Sequence, residues 1–162
     1  MLTAKQLKTK IKTWIVLFIL LLILSGVTAF PIQTELAFLM KHISAFPEFM
    51  QGWLTTIYNE VSSVTTLYPH LSYGTDWLAF AHIVIATAFI GPLIDPVKNI
   101  WVIQFGMIAC VMVFPLAFIA GPIRQIPFFW QLVDCSFGVF GFIPLFLTYK
   151  NIRLLEQQNK YA

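Results

Sequence analysis

Four apolar segments, each about as long as a lipid bilayer's hydrocarbon core is thick, constrain the fold of this chain more than any other feature. They cover residues 14–30, 77–94, 101–120 and 128–149. A helix of about 20 residues crosses a core of about 30 Å. Because 59% of the residues are hydrophobic and only 10% are charged, the 162-residue chain lacks the polar surface to enclose these segments as a globule. The sequence therefore predicts an all-α membrane protein, a four-transmembrane-helix bundle forming a single membrane domain over residues 1–162.

The basic residues predict the orientation of these four spans. If the N-terminus is inside, eight of the ten lysines and arginines fall on the inner side: Lys5, Lys8, Lys10, Lys12, Lys98, Lys150, Arg153 and Lys160. Only Lys41 and Arg124 fall outside. The positive-inside rule then places both termini, including the polar tail 150–162, in the cytoplasm of a bacterial-type inner (plasma) membrane. Cations beside apolar segments are explained by topology, so we do not expect nucleic acid as a partner.

The polar region 32–76 predicts one or two amphipathic helices between spans 1 and 2, on the periplasmic side. Its apolar residues recur every three or four positions: Met50, Trp53, Leu54, Ile57, Val61, Val64 and Tyr68. Pro47 and Glu48 suit the first turn of this helix, because proline's missing N–H costs nothing there and the acid complements the helix dipole. Pro69 is expected to end it. A shorter helix, over about 34–46, precedes it.

Two ionisable side chains lie inside the apolar segments, His82 in the second and Asp134 in the fourth. His82 follows Trp77 by five residues and Asp134 follows Trp130 by four. Because tryptophans favour the headgroup level, both side chains are predicted to lie roughly 6–8 Å below the outer membrane surface. A charged group at such depth is costly and normally faces a partner or a water-filled cavity. We therefore expect the imidazole and the carboxylate to meet between helices.

Four further polar residues are predicted to join this pair in one cluster: Gln131, Arg124, Ser25 and Thr28. Gln131 precedes Asp134 by one turn, and Gly138 and Gly141 continue the same helix face at a spacing that lets two backbones approach. Arg124, in the loop before the fourth span, is long enough to reach down by snorkelling. The simplest role for such a cluster is structural, as a hydrogen-bonded contact that fixes helix packing.

No catalytic motif accompanies this cluster. Ser25, His82 and Asp134 are the residue types of a hydrolase triad, but no nucleophile-elbow motif surrounds Ser25. We therefore predict no catalytic residue and do not expect an enzyme. The favoured function is that of a small non-catalytic accessory or scaffolding protein that is integral to the lipid bilayer. It would bind a partner membrane protein, a lipid or a small apolar ligand at its periplasmic face, as a monomer or a homo-oligomer.

Two other functions are compatible with the same residues. In the first, a membrane redox protein binds haem or quinone through His82, with His70 or His42 as a second ligand. One buried histidine supplies a single ligand, whereas zinc usually has three or four protein ligands, so no metal site is predicted. In the second, an oligomeric proton-linked transporter places His82 and Asp134 along a continuous pore.

Overall fold

A computed structural model of the protein describes residues 3–160, and this part of the chain is helical with no strands. The helices are α1 (Ala4–Ala29), α2 (Ile32–Lys41), α3 (Glu48–Leu67), α4 (Pro69–Ala88), α5 (Ile90–Ile94), α6 (Ile100–Ile123) and α7 (Phe128–Lys160), with a 3-10 turn at Ile43–Ala45. Within the described range, four helical segments are long and apolar enough to cross a membrane: α1, α4 with α5, α6, and α7. The prediction of an all-α chain with four helices long and apolar enough to span a membrane is confirmed.

The contacts within the chain define two compact units, whose boundaries fall inside α1 and α4. The terminal unit combines residues up to 21 with those from 86 onward, and the middle unit comprises residues 22–85. Each unit has its own core.

Two buried helix stripes form the core of the terminal unit. On α1 the buried residues are Leu7, Ile11, Ile15 and Phe18, and on α7 they are Leu145, Thr148, Ile152 and Leu155. Both sets recur every three or four residues, which is the period of one helix face. The helices are neighbours, because residues of both line one groove.

Glycines bring α6 and α7 together along most of their length. A Cβ added at Gly138 would lie 2.6 Å from the carbonyl oxygen of Cys110, and one at Gly121 would lie 2.9 Å from the Gln131 side chain. A third contact joins Gly106 to Leu145, with 2.8 Å between an added Cβ and the leucine side chain. Small residues permit this approach where lipid offers no hydrophobic drive for helix association.

The helix of the second span is interrupted at Phe89, ahead of the Gly91-Pro92 pair predicted to close it. Pro92 explains this position, because it has no N–H for the carbonyl of Ala88 and its ring crowds that carbonyl. Phe89 is fully buried and packs against Phe18, with 4.7 Å between ring centroids. The interruption is thus anchored inside the terminal unit.

Several helix boundaries differ from the sequence prediction: α1 begins at Ala4, before the apolar segment 14–30, and α2 covers Ile32–Lys41 where about 34–46 was predicted. The helix of the second span begins at Pro69, well before Trp77, because a proline that ends one helix is also well suited to the first position of the next. The helix of the fourth span continues beyond Tyr149 to Lys160, so most of the predicted polar tail is helical. This extension has its own buried stripe and an Arg153–Glu156 ion pair of 2.9 Å.

In the middle unit, α2 and α3 form a helical hairpin. Its most buried residues are Leu36 on α2 and Leu54 on α3. The amide of Gln51 donates a 2.8 Å hydrogen bond to the carbonyl of Phe46 and fixes the turn between the two helices. The boundaries of α3, Glu48–Leu67, lie where Pro47 and Pro69 place them in the sequence.

Candidate functional site

The predicted polar cluster is divided between the two units. Arg124, Gln131 and Asp134 belong to the terminal unit, whereas the residues of α1 and α4 in the cluster belong to the middle unit: Ser25, Thr28 and His82. The structure describes each group by itself, so the meeting of His82 with Asp134 stays a prediction.

The turn between α6 and α7 has a defined hydrogen-bonded geometry. Gln125 has a positive φ of 58°, and its N–H donates to the carbonyl of Pro122 at 3.1 Å. The N–H of Ile126 donates to the carbonyl of Gly121 at 2.9 Å. These two bonds form a Schellman motif, which satisfies carbonyls left open at a helix C-terminus. The motif fixes the backbone that carries Arg124, the C-cap residue of α6.

Gln131 fastens this turn to α7. Its side chain is only 4% exposed, and its amide nitrogen donates a 2.8 Å hydrogen bond to the carbonyl of Ile126. The same side chain packs against Gly121 on α6. A glutamine one turn into a helix can donate a hydrogen bond to a carbonyl of the preceding loop, as Gln131 does. From the sequence alone, such a glutamine looks the same as one that contacts a ligand.

Asp134 and Arg124 line a groove of about 250 Å³ between α6 and α7. The remaining lining residues are apolar or small: Val113, Leu116, Ala117, Ala120, Gly121 and Ile126. Asp134 is half-buried and Arg124 is exposed at the rim. Within the described part of the terminal unit, neither side chain forms an ion pair or a hydrogen bond. The groove therefore presents two opposite, unpaired charges to whatever occupies it.

The α6 side of this groove was not identified from the sequence. Its small residues, Ala117, Ala120 and Gly121, recur at helical spacing along one face and leave room between the backbones. That spacing is the signal in the sequence that α6 meets another helix along this face, and it does not specify a groove. It is weak, because alanine and glycine are common throughout membrane helices.

In the middle unit, His82 is hydrogen-bonded to its own helix. Its Nδ1 donates to the carbonyl of Leu78 at 2.8 Å. Since a carbonyl only accepts, Nδ1 carries a proton in this arrangement. From α1, a Cβ added at Gly26 would lie 2.7 Å from the carbonyl oxygen of Ala79 and 3.1 Å from Cβ of His82. His82 therefore lies beside a close crossing of α1 and α4.

The two hydroxyl groups predicted in the cluster differ in their surroundings. The hydroxyl of Thr28 donates to the carbonyl of Leu24 at 2.9 Å, so its proton is used within α1. Ser25 is exposed. Neither geometry activates an oxygen as a nucleophile, which needs a hydrogen-bonded base.

The structure does not bring His70 and His82 together on α4. Both lie on the same continuous helix, about 18 Å apart along its axis, whereas two axial nitrogens lie only about 4 Å apart. The ring of His70 packs edge-on against Tyr68, and that of His42 packs against Phe38. Among residues 3–160, no three His, Cys, Asp or Glu side chains group as metal ligands.

Comparison with known proteins identified no relative. The chain matches no protein-family model, no curated protein and no solved structure.

Proposed function

We propose that this protein is a small non-catalytic accessory component of a bacterial-type inner membrane, which binds an amphipathic ligand in the groove between α6 and α7. The observation that carries this proposal is a pair of opposite charges, Asp134 and Arg124, unpaired in the terminal unit and lining one groove. A half-buried carboxylate without a partner is costly in an apolar setting. A ligand whose positive charge pairs with this carboxylate removes that cost, and the removal contributes to the free energy of binding.

The chemistry of the groove favours a zwitterionic headgroup with an apolar tail. Asp134 complements an ammonium group and Arg124 complements a phosphate or carboxylate, which guanidinium groups bind in a bidentate manner. Val113 and Leu116 offer an apolar surface to an acyl chain. A phospholipid with a primary ammonium group combines these features in one molecule.

The orientation proposed for the chain places this groove in the outer leaflet. The distribution of lysine and arginine supports cytoplasmic termini, and the α6–α7 turn then lies on the periplasmic side with α2 and α3. Polar residues of α3, such as Thr55, Asn59 and Glu60, are exposed, whereas Leu54 is buried. This pattern supports α3 lying along the membrane surface.

The test is the mass of whatever remains bound to the purified full-length protein in mild detergent. Asp134→Asn keeps the shape of the side chain and removes its charge, so we expect the variant to lose a bound zwitterionic lipid. Asp76→Asn makes the same change at a half-buried acid of the middle unit and should retain it. Both variants should remain folded by circular dichroism.

Three results would contradict the proposal. They are a wild-type protein without bound lipid, equal lipid retention by both variants, and recovery of a second copy or another membrane protein in place of a lipid. The last result would favour a role in assembly.

A further inference from the structure

A second groove, larger than the first, separates α1 from α7 near the two ends of the chain. It has a volume of about 560 Å³. From α1 it is lined by Thr9, Lys10, Thr13 and Trp14, and from α7 by Leu147, Lys150, Asn151 and Leu154. It lies entirely within the terminal unit, and the function proposed above does not use it.

The polar lining of this groove is cationic. Lys10 and Lys150 contribute two positive charges, and no carboxylate lines the groove. Within residues 3–160 neither lysine forms an ion pair. The nearby acid on α7, Glu156, is paired with Arg153 at 2.9 Å. Two like charges that share a groove repel each other, and an anion bound between them would offset that repulsion.

The rest of the lining is suited to a hydrocarbon chain. Trp14, Leu147 and Leu154 are apolar, and the hydroxyls of Thr9 and Thr13 donate to backbone carbonyls of α1 at 3.1 Å each. These hydroxyl protons are therefore occupied within the helix. The side-chain amide of Asn151 is the additional hydrogen-bond donor on the α7 side.

The groove lies where the apolar parts of both helices stop. Trp14 begins the apolar segment of α1, and Lys150 follows the last residue of the apolar segment of α7. Tryptophan rings and snorkelling lysines are typical of the headgroup level of a membrane. A molecule in this groove would have its charged end beside the two lysines and its tail in the hydrocarbon.

We propose that this groove binds one anionic phospholipid from the leaflet on the side of the termini. Its phosphate lies between Lys10 and Lys150, Asn151 donates to a headgroup oxygen, and the start of an acyl chain packs on Trp14 and Leu147. The apolar lining is the reason to expect a lipid, since free phosphate would leave that surface uncovered. Charge complementarity is the reason to expect an anionic one.

The experiment is a titration of the full-length protein in detergent with phosphatidylglycerol, followed by native mass spectrometry. The variant Lys10→Gln/Lys150→Gln removes both charges from the groove. The matched control, Lys8→Gln/Lys12→Gln, removes two charges from exposed positions of the same helix that do not line the groove. At about 1 kcal/mol per lysine, the groove variant should bind about thirtyfold more weakly, and the control should change less than threefold.

Two further arms identify the ligand. Phosphatidylcholine with the same acyl chains should bind the wild type at least tenfold more weakly than phosphatidylglycerol. Glycerol phosphate, which has the anionic group without the tail, should not compete. Equal weakening by the two double variants would show diffuse attraction and overturn the site, as would competition by glycerol phosphate. Retention of lipid by the groove variant would also overturn it, and none of these results depends on Asp134.

Discussion

Gln125 has a backbone conformation that side chains disfavour. Among the residues that the structure describes, it is the only non-glycine residue with a positive φ, at 58°. The conformation is retained because the Schellman bonds of Gln125 and Ile126 require it. A left-handed residue other than glycine costs about 1 kcal/mol or more.

We therefore predict that Gln125→Gly stabilises the protein by about 1 kcal/mol, because glycine adopts this φ without a steric penalty. Reversible unfolding in mixed detergent micelles would measure the change. Gln125→Ala keeps the penalty and should bring no gain. A loss of stability in the glycine variant would mean that the glutamine side chain contributes a contact of its own.

Thr148 carries a buried hydroxyl group without a hydrogen bond. The residue is 0% exposed, and its Oγ1 has no partner among the residues described. It belongs to the buried stripe of α7 between Leu145 and Ile152. An unsatisfied buried polar group costs about 1–3 kcal/mol.

Replacing this hydroxyl by a methyl group should remove that cost. We expect Thr148→Val, which has nearly the same shape, to raise the free energy of unfolding by about 1 kcal/mol. Thr148→Ser keeps the hydroxyl, loses a methyl group and should lower it. The same unfolding assay compares the two, and a destabilised valine variant would indicate that the hydroxyl binds a water or a ligand.

At the scale of helices, α6 and α7 form the most closely fitted pair in the terminal unit. Gly106, Gly121 and Gly138 each meet the opposite helix or its side chains at distances that leave no room for a methyl group. At Gly138 the neighbour is a backbone carbonyl, which cannot move aside as a flexible side chain would.

Gly138→Ala should therefore separate the two helices and destabilise the protein by about 1–3 kcal/mol. Gly74→Ala is the matched control, since Gly74 lies in α4 with no atom within 4 Å of an added Cβ. That change should be neutral or stabilise slightly, because alanine favours helix more than glycine does. Equal effects of the two substitutions in the unfolding assay would contradict a tight α6–α7 contact.

Periodicity and composition predicted where the helices lie in the sequence. They predicted less well which helices pack against each other. The four apolar segments, the helix from Glu48 and the end of that helix before Pro69 follow from local signals. The start of α4 at Pro69 was missed because one proline acts on two helices. The pairing of Lys10 with Lys150 in one groove was missed for a different reason. Those residues are far apart in the sequence, and no periodic pattern states which helices are neighbours.

The candidate site was predictable to the same limited degree. Asp134 stands out from sequence because a carboxylate inside an apolar segment needs an explanation. The role of Gln131 is not evident from the sequence, because its hydrogen bond to the carbonyl of Ile126 depends on the geometry of a turn. The apolar wall supplied by α6 depends on the crossing of two helices, which the sequence leaves open.

At the scale of the whole molecule, the four spans and the charge distribution predict a membrane topology that can be tested. We predict that α3 is periplasmic and the end of α7 cytoplasmic. Glu60→Cys and Gln157→Cys place reporters at exposed positions of the two segments, in a background where Cys110 and Cys135 are replaced by alanine. A membrane-impermeant maleimide should label Glu60→Cys in intact cells and Gln157→Cys only after the membrane is opened. The reverse pattern would invert the proposed orientation.

The composition of the terminal unit has a consequence for biosynthesis. Residues of α1 up to position 21 share that unit with residues 86 and beyond, so the Leu7–Ile15 face of α1 is buried in the unit only after helices much later in the chain have been made. Until then this face is open to lipid or to an insertion factor. Helices α6 and α7, joined by a short turn, can meet as soon as both have entered the bilayer. Assembly of the terminal unit is therefore completed only when the end of α7 has been made. A nascent chain that stops before residue 145 lacks the buried stripe of α7 from Leu145 to Leu155, so the unit's core is incomplete.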